Sequence, residues 1–255
     1  MNAVSPAIVK TIIQLQSLPS LANFSLAGGT NLALRYNHRI SDDIDLFCPD
    51  IIGMDGFNKV IEEVKIHFGK NARNFDFPCD INDQYCFLRF FVDAEDGTTI
   101  KIELLQNMKH LFDIEMINNT RLFSKADIGL YKLVSLANRS TKKDVYDLDF
   151  ITEEINIVNL YENLIEKTTK FSNKEHQTIF DLDKNESVLG NPELLIRFDN
   201  TVGSSKFPAH TNDNINIVKE SKTWIEARIS WRSKVRELYN HLGKDFPKPK
   251  GIDIS

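Results

Sequence analysis

Ser41-Asp42-Asp43-Ile44-Asp45 places two carboxylates, Asp43 and Asp45, at alternate positions. On a strand, residues two apart share a face, so Asp43 and Asp45 stand together with Ser41 beside them, while Asp42 and Ile44 point the other way. Adjacent carboxylates repel, and a divalent cation relieves the repulsion. Mg²⁺, or Mn²⁺ in its place, takes one or two carboxylates and leaves its other positions to water and phosphate oxygens. Upstream, Leu26-Ala-Gly-Gly-Thr30 supplies the complementary half. Gly28 and Gly29 let the backbone approach phosphate closely, the N–H groups of a helix starting at Thr30 favour negative charge, and Thr30 adds a hydroxyl donor. A phosphate cradle and a metal-binding strand, with twelve residues between Thr30 and Asp43, imply chemistry on a nucleoside triphosphate.

Each half also has an ordinary reading. A Gly-Gly pair is commonly just a turn, and Ser-Asp-Asp-Ile-Asp can be a solvated acidic edge; their order and separation together favour the site. The pattern predicts a functional Asp43 and Asp45 and a dispensable Asp42. Arg39 is placed to clamp a phosphate with its guanidinium fork, or to pair with Asp42 or Asp50. His38, in the loop before it, is read as solvated.

The elements that position these residues follow from periodicity. Apolar residues at helical spacing predict a helix over 4–17, ended by Pro19, then a short buried strand over Phe24–Ala27 running into the glycines and a helix from Thr30 to Tyr36. A second strand covers Ile44–Cys48 and a helix covers 55–68. Strands follow at Asn74–Phe77, Tyr85–Val92 and Thr98–Leu105, the last two joined by the turn-like Asp93-Ala-Glu-Asp-Gly97. After Asn118-Asn119 the period becomes helical, with helices over Ala126–Asn138 and Val145–Glu153, two more between Asn156 and Phe180, a loop-rich stretch over 181–214, and a long last helix over Ile215–Leu242 before a frayed tail. The fold class is α/β with a mixed sheet over residues 1–120, followed by a mainly helical domain over 121–255 that completes the cleft.

The net charge of -5 argues against a surface that binds nucleic acid over its whole extent, so any RNA contact must be focused. Arg139, Lys142 and Lys143 form one basic cluster where an RNA backbone could lie; a solvated helix end explains them equally well. Trp224 and Trp231, seven residues apart, lie on an apolar stripe and read as core rather than as base-stacking rings. Three cysteines without C-x-x-C spacing support neither a disulfide framework nor a zinc knuckle. No apolar run approaches the ~20 residues that cross a bilayer, and the first residues lack the pattern of a signal peptide, so the expected location is the cytoplasm.

Gly28-Gly-Thr30 and Ser41-x-Asp43-x-Asp45, together with Tyr131-Lys-Leu-Val-Ser-Leu-Ala-Asn-Arg139 and Lys143-Asp-Val-Tyr-Asp-Leu148, resemble the motifs of the nucleotidyltransferase-like AbiEii/AbiGii and MenT-type toxins, within the DNA polymerase β-like nucleotidyltransferase superfamily. The resemblance covers about residues 20–155 and implies a polymerase β-like core. It also implies site roles: Asp43 and Asp45 as metal ligands, Ser41 as the serine before them, Lys132 as the lysine of the helical domain, and Asp147 as the aspartate fifteen residues beyond it. Lys132 would neutralise the triphosphate as charge moves to the leaving pyrophosphate, and Asp147 would orient it. Without the resemblance, the two would read as a surface pair worth ~0–1 kcal/mol. Superfamily members often add a third carboxylate from a neighbouring strand, and Glu103, on the face of Lys101, is the best placed.

The reading is an Mg²⁺-dependent enzyme moving a nucleotide from a nucleoside triphosphate to RNA such as the tRNA 3′ end, as the toxin of a bacterial toxin–antitoxin pair with a cognate antitoxin as partner. Two alternatives stay open: a GTP- or NTP-binding module without transfer, and transfer to a protein or small molecule. The same core serves all of these.

Overall fold

Pro6 at the first helical position and Ser5, whose hydroxyl accepts the Ile8 N–H, start helix α1 (Pro6–Gln16) where its first donors need partners. In the computed structural model, which describes residues 2–79, 81–182, 186–200 and 214–248, strand β1 (Ser25–Leu26) comes next and leads into α2 (Gly28–Tyr36). Then follow β2 (Ile44–Phe47), α3 (Gly53–Phe68), β3 (Ala72–Cys79), β4 (Phe87–Asp93), β5 (Thr99–Leu105) and the short strands β6 (Glu115–Ile117) and β7 (Thr120–Leu122). Helices α4 (Lys125–Arg139), α5 (Lys142–Glu154), α6 (Ile157–Lys170) and α7 (Trp224–His241) complete the order. Among the described residues, no helix is long and apolar enough to cross a membrane.

The strands form one mixed sheet in the order β3-β4-β5-β2-β1-β7-β6. β2 runs parallel to β5 and antiparallel to β1, and β1 runs parallel to β7. Alternation divides its faces. Ile44 and Leu46 of β2, Leu88, Phe90 and Val92 of β4, and Ile100, Ile102 and Leu104 of β5 join one core with α1 and α3. Asp45, Arg89, Lys101 and Glu103 occupy the intervening positions and point to the opposite face. On that side, Ala27, Phe47, Phe87 and Leu105 join a second core with α4–α7, so the polar row lies where the sheet meets the helices.

Several boundaries differ from the sequence expectation. α2 begins at Gly28 rather than Thr30, so both glycines belong to its first turn. The sheet extends through Leu122, because the Asn118-Asn119 turn, both residues in the left-handed region at φ 49° and 61°, folds β6 against β7. Between Asn156 and Phe180 there is one α-helix, α6, followed by two single 3₁₀ turns at Lys174–His176 and Ile179–Asp181. The last helix starts at Trp224, where Thr223 and Glu226 form a capping box. The residues before it cross back instead: Ile217 bridges Arg39, and the Val218 N–H donates to the His38 carbonyl. In the expected tail, Phe246 packs against Tyr239, and residues 249–255 lie outside the described residues, as do 183–185 and 201–213 of the expected loop.

Candidate active site

Gly28 takes φ +63°, a conformation that side chains rarely adopt, and a Cβ there would lie 1.9 Å from Asp45 Oδ2. At Gly29 a Cβ would lie 2.3 Å from Arg39 Nη2 and 3.2 Å from Ser41 Oγ. The glycines are thus a contact surface: Asp45 closes on one and Arg39 on the other. The first N–H groups of any helix lack a carbonyl one turn back, so the start of α2 brings donors to the point between this carboxylate and this guanidinium.

On the sheet side, Asp45 is paired in register with Glu103, and Glu103 with Arg89, so the three form a row across β2, β5 and β4. Arg89 donates to Glu103 Oε1 from Nε at 2.8 Å and approaches it with Nη2 at 2.7 Å. The Lys101 ammonium lies 3.2 Å from Glu103 Oε2 and 3.1 Å from Asp43 Oδ2. Asp43 is half exposed, whereas burial, reinforced by the nearby Glu103 charge, pushes the Asp45 carboxyl up to about 6. Ser41 is buried with Thr30, whose Oγ1 lies 2.9 Å from Ser41 Oγ and within hydrogen-bond reach of the Asp43 carbonyl. The Thr30 hydroxyl, expected as a phosphate donor, is turned inward to hold the approach to the acidic strand.

The helical side is a buried ionic cluster. Asp147 Oδ1 accepts from Arg39 Nε at 2.6 Å and meets His38 Nε2 at 2.8 Å; Oδ2 accepts from Arg39 Nη2 and lies by Lys132 Nζ, each at 2.7 Å. Lys132 also donates to Asp144 Oδ1 at 2.8 Å, and Arg139 forks onto both Asp144 oxygens at 2.7 and 2.8 Å. Burial works against the charge on Asp147, yet Arg39 and then Lys132 outweigh it and hold its carboxyl well below the usual range; Asp144 is held down in the same sense by Arg139 and Lys132. Burial also lowers His38, which favours the neutral ring. Three permanent cations against two carboxylates leave the cluster positive, and Lys132 and Arg139 are close enough to act electrostatically with Asp45.

The sequence residues therefore fall into two groups meeting at the glycines: Asp45 and Glu103 on the sheet with Asp43 in the segment just before β2, where a strand was expected, and Arg39, Lys132 and Asp147 on the helical side. His38 is wholly buried and stacked on Tyr146 at 5.5 Å, not solvated. Arg39 pairs with Asp147 rather than with Asp42 or Asp50, and Arg139 belongs to the cluster rather than to a free basic patch. Trp231 is core, its indole N–H donating to the Leu195 carbonyl at 2.8 Å. The sequence reading missed the parts of Asp144 and Lys101. The signals were present: Asp144 and Asp147 are three apart on a helix, hence on one side, and Lys101 alternates with Glu103.

The donor set suits a hard divalent ion. Asp43 and Asp45 offer only oxygens, and Mg²⁺ is commonly held by one or two carboxylates plus substrate phosphates. Among the described residues, no group of three or more His, Cys, Asp or Glu is placed to hold a metal ion by itself.

Comparison with known proteins bears on the same residues. The chain is 31% identical over 138 residues to an uncharacterized protein of Aquifex aeolicus (strain VF5), aq_aa25. That match takes in 53% of this chain and 60% of the relative, so the chain spans about three fifths of that relative's length. The fold is similar to that of MenT4, a nucleotidyltransferase toxin from Mycobacterium tuberculosis H37Rv, with a TM-score of 0.52 at 15% identity over 93% of this chain and 83% of that one. Residues 15–201, which contain every site residue described above, match the family model described as nucleotidyl transferase AbiEii toxin, type IV TA system, and the chain belongs to that family.

Proposed function

We propose that this protein is a metal-dependent nucleotidyltransferase that moves a nucleotidyl group from a nucleoside triphosphate to an RNA acceptor, the tRNA 3′ end first among them, and that it acts in the cytoplasm as a toxin restrained by a cognate antitoxin. The observation that carries this reading is the meeting of an acidic row and a cationic cluster across Gly28 and Gly29. In such a transfer, an acceptor hydroxyl attacks the α-phosphorus and releases its proton to solvent, the bond from that phosphorus to the β-bridging oxygen breaks, and pyrophosphate leaves. Asp43 and Asp45 would hold Mg²⁺ or Mn²⁺, which neutralises phosphate oxygens when bound.

The chain's own groups do the rest. Donors of the α2 first turn and the Arg39–Lys132–Arg139 field receive the polyphosphate, and the field opposes the negative charge that gathers on the leaving group. Lys132 is not a flexible finger: two buried carboxylates fix it, so its charge is in place before substrate arrives. Asp147 positions Arg39, Lys132 and His38 together, and Thr30 with Ser41 holds the approach to Asp43. The test is incubation with labelled nucleoside triphosphates, Mg²⁺ and total tRNA. Label on tRNA, lost in Asp43→Ala and Asp45→Ala, supports the reading; label on protein instead moves the acceptor, and no transfer to any acceptor refutes the enzyme.

A further inference from the structure

Glu103 stands where a third metal-binding carboxylate would be sought, yet both of its oxygens are already engaged by cations. Arg89 takes Oε1 with two nitrogens at 2.7 and 2.8 Å, and Lys101 lies 3.2 Å from Oε2. The same ammonium reaches Asp43 Oδ2 at 3.1 Å, so it bridges Asp43, just before β2, and Glu103 of β5, two of the three carboxylates a pair of ions would need. We infer that this site takes a single divalent cation, on Asp43 and Asp45, and that the Lys101 ammonium, held by Glu103 and Arg89, stands in for a second. The inference rests on the proposed nucleotidyltransferase reading and deepens it.

Charge and geometry both favour this arrangement. Two-metal sites place their ions about 3.5–4 Å apart, so both must draw on the same few carboxylates. Here the carboxylate that would be shared with Glu103 already shares a lysine. Asp43, Asp45 and Glu103 against Lys101 and Arg89 leave one net negative charge, which a single divalent ion reverses. A second ion would have to enter against like charge and displace the ammonium from two oxygens. The cross-strand register fixes the arrangement: Arg89 opposite Glu103, Glu103 opposite Asp45, and Lys101 two residues before Glu103 on the same face. Glu103 is then a positioning residue acting through Lys101. The ammonium keeps Asp43 and Glu103 neutralised, so an anionic substrate can approach with only one ion bound.

The experiment is a titration of the full chain with MnCl₂, counting bound ions from the EPR signal of free Mn²⁺, in wild type, Lys101→Met and Lys101→Gln. Methionine keeps the aliphatic stem and glutamine keeps a polar end, so loss of fold in one does not remove the comparison. One Mn²⁺ per wild-type chain and two per variant chain is the expected result. Two ions on wild type, or a single ion on the variants, overturns the lysine's role while leaving a metal-dependent enzyme standing. No bound Mn²⁺ on any of the three overturns the single-ion inference and leaves the tRNA-labelling assay to decide the enzyme.

Discussion

Replacing Asp147 by asparagine keeps the volume of the side chain and removes the charge that three neighbours share. In the folded protein, Asp147 receives four close contacts from Arg39, His38 and Lys132, all between 2.6 and 2.8 Å, and is fully buried. Lys132 retains Asp144 after the change, but the buried Arg39 guanidinium exchanges its carboxylate for a neutral amide oxygen and otherwise keeps a 3.3 Å bond to the Ile40 carbonyl. Removing one partner of a buried ion pair costs about 3–5 kcal/mol, against ~0–1 kcal/mol for an exposed pair. At about 2–4 °C per kcal/mol for a chain of this size, the melting temperature should fall by roughly 6–20 °C. Urea and thermal unfolding at pH 7 measure this, with Asp42→Asn, on an exposed residue, as a control expected within about 0.5 kcal/mol of wild type. The pH dependence carries a sign. Because the folded Asp147 carboxyl is depressed, its stabilisation is fully present above the unfolded value of about 3.9 and is lost as pH falls below that toward the folded value. The gap between wild type and Asp147→Asn must therefore be widest near neutrality and shrink below about pH 4. A loss under about 1 kcal/mol at pH 7, the surface-pair value, would refute the buried-cluster argument.

Three further outcomes follow from the same geometry. Gly28→Ala puts a Cβ 1.9 Å from Asp45 Oδ2 at φ +63°, so transfer should drop at least about 100-fold, as expected when a reacting group is displaced by an ångström, and steady-state labelling reads it. Asp45 has the opposite linkage to Asp147. Its folded carboxyl is raised to about 6, so the cost of its charge to folding sets in above the unfolded value of about 3.9 and is complete once pH has passed the folded one. Asp45→Asn should gain on the order of 1–2 kcal/mol at pH 8, after discounting for solvent screening, and nothing below about pH 4, while losing Mn²⁺ binding, as paired melts and EPR would show. Trp231→Ala should cost about 3–5 kcal/mol as a core truncation, whereas Trp231→Phe should leave tRNA labelling within about twofold, since a core residue does not stack on bases.

The sheet side of the site was legible in the sequence because its information is local. Period-two alternation groups Asp43 with Asp45 and Lys101 with Glu103, and the glycine pair announces a close backbone approach; only the register that sets Glu103 opposite Asp45 is long-range. The helical side was legible only through motif resemblance. Arg39 and Asp147 are 108 residues apart, and no local pattern shows that a lone histidine at position 38 will be buried on that aspartate. The same contrast holds for the fold. The mistaken start of the last helix was avoidable, since Thr223-x-x-Glu226 is a capping signature in plain view, whereas the Ile217–Arg39 bridge depends on long-range docking. The β6–β7 hairpin escaped because strands of three residues carry little periodicity, leaving only the Asn118-Asn119 turn as a clue.

The central claim is that the acidic row and the cationic cluster serve one nucleotide. Crystals grown with MnCl₂ and each of the four nucleoside triphosphates carrying a non-hydrolysable α,β-linkage test it most directly. The account predicts a manganese anomalous peak at Asp43 and Asp45, with the triphosphate lying along the first turn of α2 toward Lys132 and Arg139. A nucleotide bound away from Gly28 and Gly29, or manganese elsewhere than on those two aspartates, would contradict it.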